Sequence, residues 1–502
     1  TEPARDTDRV LAMAVVAAAR RDGAWFTPEE EAAIAAAEPT RWTAVDRAAF
    51  VKLLSAGARG RTIFGRLEVL GWVGREFPEW VPVATAPQLA PFHDHPAGAH
   101  LWRAVDEMEG LIEGGGDAGA VAEAVGSTEE LLLAAFLHDI GKARGGNHAE
   151  VGAAVAAVFL RRAGFGAATT GVVVEAVKLH LLLSETATRR DVANLDVINE
   201  VADLVGDVHL LDVIYLLTIA DLRATGTTMW NEWRSSLIDS LYKRVRDAIE
   251  QGGATPATQS VDAILAAAAG SVDRRDIEEH VAAMPDDYLG ATTAREILWH
   301  LEVITSLDNA AALSVDPEDP GRVLVVGTDR SGFLLAVARA FTANGVGILD
   351  ARLRTRADGI ALDTFHVLTD HAGGAVPAAR WDAIAADLRK SLEEGSDLRP
   401  AIRERVEAYR RPPRTGAGVE VRAALVDRRT VVEVRAPDRI GLLADIVEAL
   451  HGDGLDIHLA RIDTMGGIAR DIFYVRRIGG IPIRDESELA SLQGRITDKL
   501  RG

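Results

Sequence analysis

His138 and Asp139 stand side by side in FLHDIGKARGGNH, with a lone His100 upstream and a lone Asp221 in LLTIADLRATG downstream. Imidazole nitrogens and carboxylate oxygens are donors that suit a divalent ion, with Mn or Mg favoured and Fe or Zn also compatible. Four such side chains leave coordination positions open for water and a phosphate oxygen, the arrangement of a reacting centre rather than of a structural clasp. An isolated His-Asp doublet is usually accidental, and a lone histidine is usually a satisfied polar group. Six of the thirteen histidines, His93, His95, His100, His138, His148 and His180, nevertheless fall in one stretch, and that concentration favours a site. Lys142 follows Gly141 and adds a cation that can meet a phosphate.

Helices must position these groups. Ser127-Thr128-Glu129-Glu130 reads as a capping box ahead of the apolar run Leu131 to Leu137, with Gly141 as the stop. Adjacent helical residues point about 100° apart, so His138 and Asp139 can approach one ion from two sides while His100 and Asp221 arrive from other helices. Upstream, RVLAMAVVAAARRDG and RAAFVKLLSAGARG are amphipathic and predict a helical lead-in over 1–85. The metal domain is expected over 86–252 and a helical linker region over 253–320, where Trp299, like Trp230 and Trp233 before it, serves as a core or interdomain anchor.

The order H…HD…D resembles the HD-domain metal-dependent phosphohydrolases. More narrowly, PFHDHPAGAHLWRAV, FLHDIGKARGGNHAEVGA, HLLLSETATRRDV and LTIADLRATGTTMWNEWRSSLIDSLYKRV resemble successive blocks of the bifunctional PII uridylyltransferase/uridylyl-removing enzymes. The resemblance implies His100, His138, Asp139 and Asp221 as metal ligands and nucleotidylated PII protein as substrate, the removed group being UMP or AMP. It also implies catalytic roles: Asp139 orients or deprotonates a water, Lys142 offsets developing charge, and His148 and His180 bind a second ion, hold phosphate or move protons. A supporting role behind a ligand competes with each of these for the last two. One block departs from the family: His95-Pro96-Ala97-Gly98 replaces a Tyr-Thr-Val-Asp type segment, so the loop around the first ligand is expected to differ.

From Arg322 the texture becomes strand, turn, helix, strand, twice over. RVLVVGTDRSGFLLAVARAFTANGVGILDARLRTRADGIALDTFHVL aligns with TVVEVRAPDRIGLLADIVEALHGDGLDIHLARIDTMGGIARDIFYVRR. Asp329, Gly332, Gly345 and Thr355 match Asp438, Gly441, Gly454 and Thr464 at one spacing, which slips by a residue in the hairpin before Asp363 meets Asp471. Each repeat resembles an ACT domain, a β-α-β-β-α-β unit, expected at 321–400 and 429–502 with a linker over 401–428. The resemblance implies an amino acid effector, glutamine by family. Candidate contacts are Asp329, Arg330, Gly332, Asp438, Arg439 and Gly441, where glycine permits close approach and helix N–H groups can meet a carboxylate. Tight strand-to-helix packing, and for the aspartates helix capping, are the competing explanations.

The expected class is therefore multidomain: an all-α HD-type metal phosphohydrolase domain followed by two α+β ferredoxin-like ACT domains, which could also pair copies into a homo-oligomer. At 502 residues, 48% hydrophobic, the chain has room for several cores. A formal charge of −20 argues against a nucleic-acid partner. The lack of cysteine excludes disulfides and thiolate chemistry. No apolar run is expected to reach the roughly 20 residues of a membrane span, and TEPARDTDRV lacks a signal-peptide pattern, which together predict a cytoplasmic protein. A Gly-Ser loop followed by paired acids, the mark of a nucleotidyltransferase, is not found; Gly126-Ser127 leads straight into a helix. With Thr1 at the start, an N-terminal part is expected to be either removed or naturally absent. Two other functions fit the sequence: an amino-acid-regulated hydrolase of free nucleotides, and a non-catalytic amino acid sensor.

Overall fold

The structure is a computed structural model that describes residues 6–20, 25–86, 96–226, 229–230, 232–254, 260–285, 288–289, 292–307, 311–330, 332–369, 376–408, 418–426, 429–465, 468–477 and 480–501. His93 and His95 lie outside them. The chain forms two compact units, Thr1–Val192 with Val197–Ala254, and Ala193–Asp196 with Thr255–Gly502.

The first unit is helical, and its lead-in is not a separate layer. Phe136, fully buried two residues before His138, is ringed by Phe50, Phe64, Phe77 and Trp80 from the lead-in and by Trp102. Trp80 stacks on it at 4.9 Å between ring centroids with an 8° interplanar angle. The expected boundary at residue 85 thus cuts through one aromatic core. The stretch Ala167–Arg189 is, against expectation, long and apolar enough by length and composition to cross a membrane. It breaks at His180 into the helices Ala167–Leu179 and Leu182–Arg189, and the first of these packs on Thr128–Leu137 and His148–Ala163.

The second unit carries one antiparallel sheet of β1 (Ala311–Val315), β2 (Arg322–Thr328), β3 (Val346–Thr355), β4 (Ile360–Thr369), β5 (Glu420–Val426), β6 (Arg429–Pro437), β7 (Leu455–Met465) and β8 (Ile468–Arg477). Their order is β1-β2-β4-β3-β7-β8-β6-β5. The repeats therefore lie as mirror-ordered halves joined at β3 and β7, where Ala351 pairs with its own repeat-mate Ala460. Asp363 faces Leu353 and Asp471 faces Ile462, equivalent places, so the one-residue slip of the alignment does sit in the hairpin.

Each half departs from the expected β-α-β-β-α-β order. Among the described residues neither repeat adds a strand to its own half of the sheet after its second helix. The edge beside β2 and β6 is filled instead by β1 and β5, which enter from the N-terminal side as hairpins. An antiparallel edge can be supplied from either end of the unit, and β1 and β5 fall before the expected starts at 321 and 429. The helices of the repeats cover one face, packing on Val323, Val325, Phe365, Val432, Val434 and Phe473. The segment expected as a linker is not spacer: Ile264, Ile277, Tyr288, Ile297 and Trp299 pack on Leu324, Val326 and Leu362 of the opposite face.

A buried polar chain ties this segment to the first repeat. Arg356 donates to His280 Nδ1 (3.0 Å), so His280 Nε2 carries the proton and donates to Tyr288 Oη (2.8 Å), which donates to His300 Nδ1 (2.7 Å). Burial, then the positive charges of Arg356 and Arg354, lowers His280 to about 4 and His300 to about 3. Both are neutral when folded, whereas unfolded histidine takes up a proton as the pH falls below about 6.5. Their stabilisation is complete above that value and is lost as the pH falls toward 4. The melting temperature of the second unit should drop between pH 7 and 5, and less steeply in His300→Gln; equal slopes would exclude this origin.

Candidate metal centre

His100 lies in the first turn of the helix Ala97–Glu113, which Pro96 begins, so Pro96-Ala97-Gly98 of the segment that departs from the family pattern forms a helix start. Asp221 is carried by the helix Val208–Thr225. His138 and Asp139 stand past the last residue of Thr128–Leu137 rather than inside it. The end of a helix leaves its last carbonyls without intrahelical partners, and this chain uses them twice. His138 Nδ1 donates to Ala135 O (2.9 Å), and His180, at the end of Ala167–Leu179, donates from Nδ1 to Val177 O (2.7 Å). Each bond holds a proton on Nδ1 and fixes the ring, aiming Nε2 inward as the atom that a metal would take.

The inward atoms converge. His100 Nε2 is 2.9 Å from Asp221 Oδ1, 3.2 Å from His138 Nε2 and 3.5 Å from Asp139 Oδ2. His138 Nε2 is 3.5 Å from each of the same two carboxylate oxygens. Asp139 Oδ1 turns the other way, 3.5 Å from His148 Nε2 and 3.8 Å from His180 Nε2. Its two oxygens thus face two pairs of histidines, and two donor groups share it: His100, His138, Asp139 and Asp139, His148, His180. Lys142 Nζ sits 2.5 Å from Asp139 Oδ2, engaged with the carboxylate rather than presented outward.

The donor set fits a divalent cation. Asp139 is 2% exposed, yet Oδ1 has no hydrogen-bond partner, a costly arrangement unless a positive group is meant to face it. Burial opposes charge on Asp139 and Asp221, but His138 and the other cationic neighbours hold both well below the usual carboxylate range. Against its own burial, those two carboxylates raise His138 to about 10. The cluster therefore retains positive charge at the place where a metal would supply it.

Gly141 is no helix stop. A Cβ there would come 2.1 Å from His148 O and 2.5 Å from Gly152 N, so glycine lets the turn after Asp139 lie against the helix His148–Ala163 and bring His148 to the carboxylate. Gly141→Ala should cost about 1–3 kcal/mol through overpacking and weaken cation binding. Thermal denaturation with a metal titration checks both, and unchanged values in both would refute the close-approach account.

The capping box is half formed. Ser127 accepts from Glu130 N, but the Glu130 carboxylate is taken by His209 Nε2 at 2.7 Å. That contact ties the helix of Asp221 to the helix leading into His138. Sequence reasoning missed it because the partners are 79 residues apart and Glu130 has a ready local role.

The six effector candidates lie in the second unit, in two equivalent turns. Gly332 and Gly441 begin the helices Phe333–Ala343 and Leu442–Gly452 at φ 86°, without a side-chain cap. Nothing lies within 4 Å of a Cβ placed on Gly332, so left-handed backbone rather than close packing calls for glycine there. Asp329 does not cap its helix: it accepts from Thr355 Oγ1 (2.7 Å). Arg330 donates to Leu392 O, and Arg439 pairs with Asp445 at 2.6 Å.

Comparison with known proteins gives a match to the HD domain family over residues 112–214. That range holds His138, Asp139, His148 and His180 but neither His100 nor Asp221. The chain is also similar to the bifunctional uridylyltransferase/uridylyl-removing enzyme of Gluconobacter oxydans (strain 621H), 32% identical over 86% of this chain and 48% of that protein. The enzyme of the same description from Azotobacter vinelandii is 31% identical over 87% of this chain and 51% of its own length. The chain spans about half the length of these relatives.

Proposed function

From a chain that carries an HD domain and is homologous to about half of the bifunctional uridylyltransferase/uridylyl-removing enzymes, we propose a metal-dependent phosphodiester hydrolase that removes a nucleotidyl group, UMP or AMP, from a tyrosine of the PII protein. The observation that carries the reading is Asp139 set between two histidine pairs, one oxygen to each. His100, His138, Asp139 and Asp221 would hold a divalent ion, with Asp139, His148 and His180 able to hold a second. When bound, the metal supplies a Lewis acid for a phosphate oxygen and lowers the pKa of a coordinated water.

The chain's own groups do the rest. Asp139 orients the attacking water or accepts its proton. Lys142, already paired to that carboxylate, offsets charge that builds on the phosphate. Of the two remaining histidines, His148 suits protonation of the tyrosyl oxygen, because its side chain is 34% exposed while His180 is 1% exposed. His180 is then a ligand or a holder of phosphate. The two repeats are read as ACT-type modules that take an amino acid, glutamine by family, which alters hydrolysis. The paired left-handed glycine turns with uncapped helix starts support that part.

Incubating the protein with uridylylated and adenylylated PII, with and without Mn²⁺, and weighing the released nucleotide tests the reading. Release of UMP or AMP that needs the metal is expected. Turnover of free nucleotides alone would move the assignment to a nucleotide hydrolase, and no metal-dependent turnover of any of them would leave an amino acid sensor.

A further inference from the structure

Across the sheet face opposite the repeat helices, Arg322, His366, Asp350 and Arg461 stand in one row, paired strand to strand through β2, β4, β3 and β7. Arg461 is 1% exposed and lies at the seam where the two repeats join. Its Nη1 donates to Asp350 Oδ1, but Nε and Nη2 have no partner. These two atoms form the side-on edge of the guanidinium, the pair of parallel donors that matches two oxygens of one carboxylate or phosphate. Arginine cannot shed its charge to escape this position.

The neighbours in the row are short of acceptors too. His366 Nδ1 is 3.4 Å from Asp350 Oδ2 without forming a hydrogen bond, and Arg322 Nε is buried without a partner although another nitrogen of that side chain meets Glu296. Repeat symmetry shows what is lacking. Ala351 and Ala460 lie on the pseudo-two-fold axis, so Arg461 is the mate of Arg352 while the mate of Asp350 is Leu459. The second repeat thus has leucine where the first has the carboxylate of Asp350. Solvent reaches the row at His366, whose side chain is 23% exposed.

We propose that Arg461, with His366 on the other side of Asp350, forms a binding site for a small oxyanion, the carboxylate of an amino acid or a phosphate group, at the seam of the two repeats. The site is separate from the two glycine turns and from the metal centre's residues. Because it touches both halves of the sheet, its occupant braces their junction. Only the amino acid form of the occupant rests on the effector reading given above.

Calorimetry on the full chain, in a buffer free of phosphate and carboxylates, tests this with sodium phosphate and L-glutamine titrated separately. Wild type should bind at least one of them saturably. Arg461→Lys, which keeps a charge opposite Asp350 but loses the fork, should weaken that binding at least tenfold, and His366→Gln severalfold. Binding of phosphate alone, lost in Arg461→Lys, would support the site and remove the amino acid reading of the repeats. Glutamine binding lost in Gly441→Val but unchanged in Arg461→Lys would overturn the site and keep that reading. No heat with either probe would overturn both. Should Arg461→Lys fail to fold, unaltered affinity for both probes in His366→Gln overturns the proposal.

Discussion

Asp139→Asn should lower nucleotide release from nucleotidylated PII by at least about a thousandfold, roughly 4 kcal/mol of lost transition-state stabilisation. The amide has nearly the carboxylate's shape, so Thr128–Leu137 and its aromatic surroundings should stay folded. It lacks the charge, however, and presents N–H groups to one of the two histidine pairs that now face an oxygen at 3.5–3.8 Å. Cation content should fall with the rate, because the same residue belongs to both donor groups. Helical circular dichroism, metal analysis of the purified variant and the initial rate at saturating Mn²⁺ check this together. Activity within tenfold of wild type in a folded variant would remove Asp139 from the chemistry.

Phe136→Ala is expected to destabilise the first unit by about 3–5 kcal/mol, the usual cost of emptying a large buried aromatic site. Five rings surround Phe136 within about 6 Å, and collapse around the missing ring would have to move helices of both the lead-in and the metal domain. Since His138 is two residues on, the variant should also bind its cation more weakly, and added Mn²⁺ should recover part of the lost stability by binding only the folded form. Urea denaturation with and without Mn²⁺ measures both quantities. A loss below about 1 kcal/mol would show that the cluster relaxes freely.

The metal centre was the most legible part of the chain because its donors are chemically distinctive and two are adjacent. Their supports were not legible. The Ala135 and Val177 carbonyls that aim His138 and His180 belong to the backbone, and no side-chain pattern announces them. Repeats at constant spacing revealed the two halves of the sheet, down to the hairpin slip. β1 and β5 escaped notice because AALSV and EVRAALV are short edge segments lying before the matched blocks. Gly141 looks like punctuation, since a glycine needed for close approach looks the same in sequence as one needed for a turn. What the helices of 253–320 pack on was illegible for a related reason: amphipathic helices show that they have a partner without naming it.

The placement of the metal donors also bears on the order in which the protein assembles. His100 and His138, whose nitrogens lie 3.2 Å apart, are 38 residues apart in the chain, and Asp221 comes from a helix much further on. No short peptide from this chain can bring the set together, unlike a finger whose ligands are neighbours. The loop-closure entropy must be met by helix packing before the donors can act as one. Cation capture is therefore a late event that follows the docking of Ala97–Glu113 and Val208–Thr225, so added metal slows unfolding while leaving the rate of folding nearly unchanged.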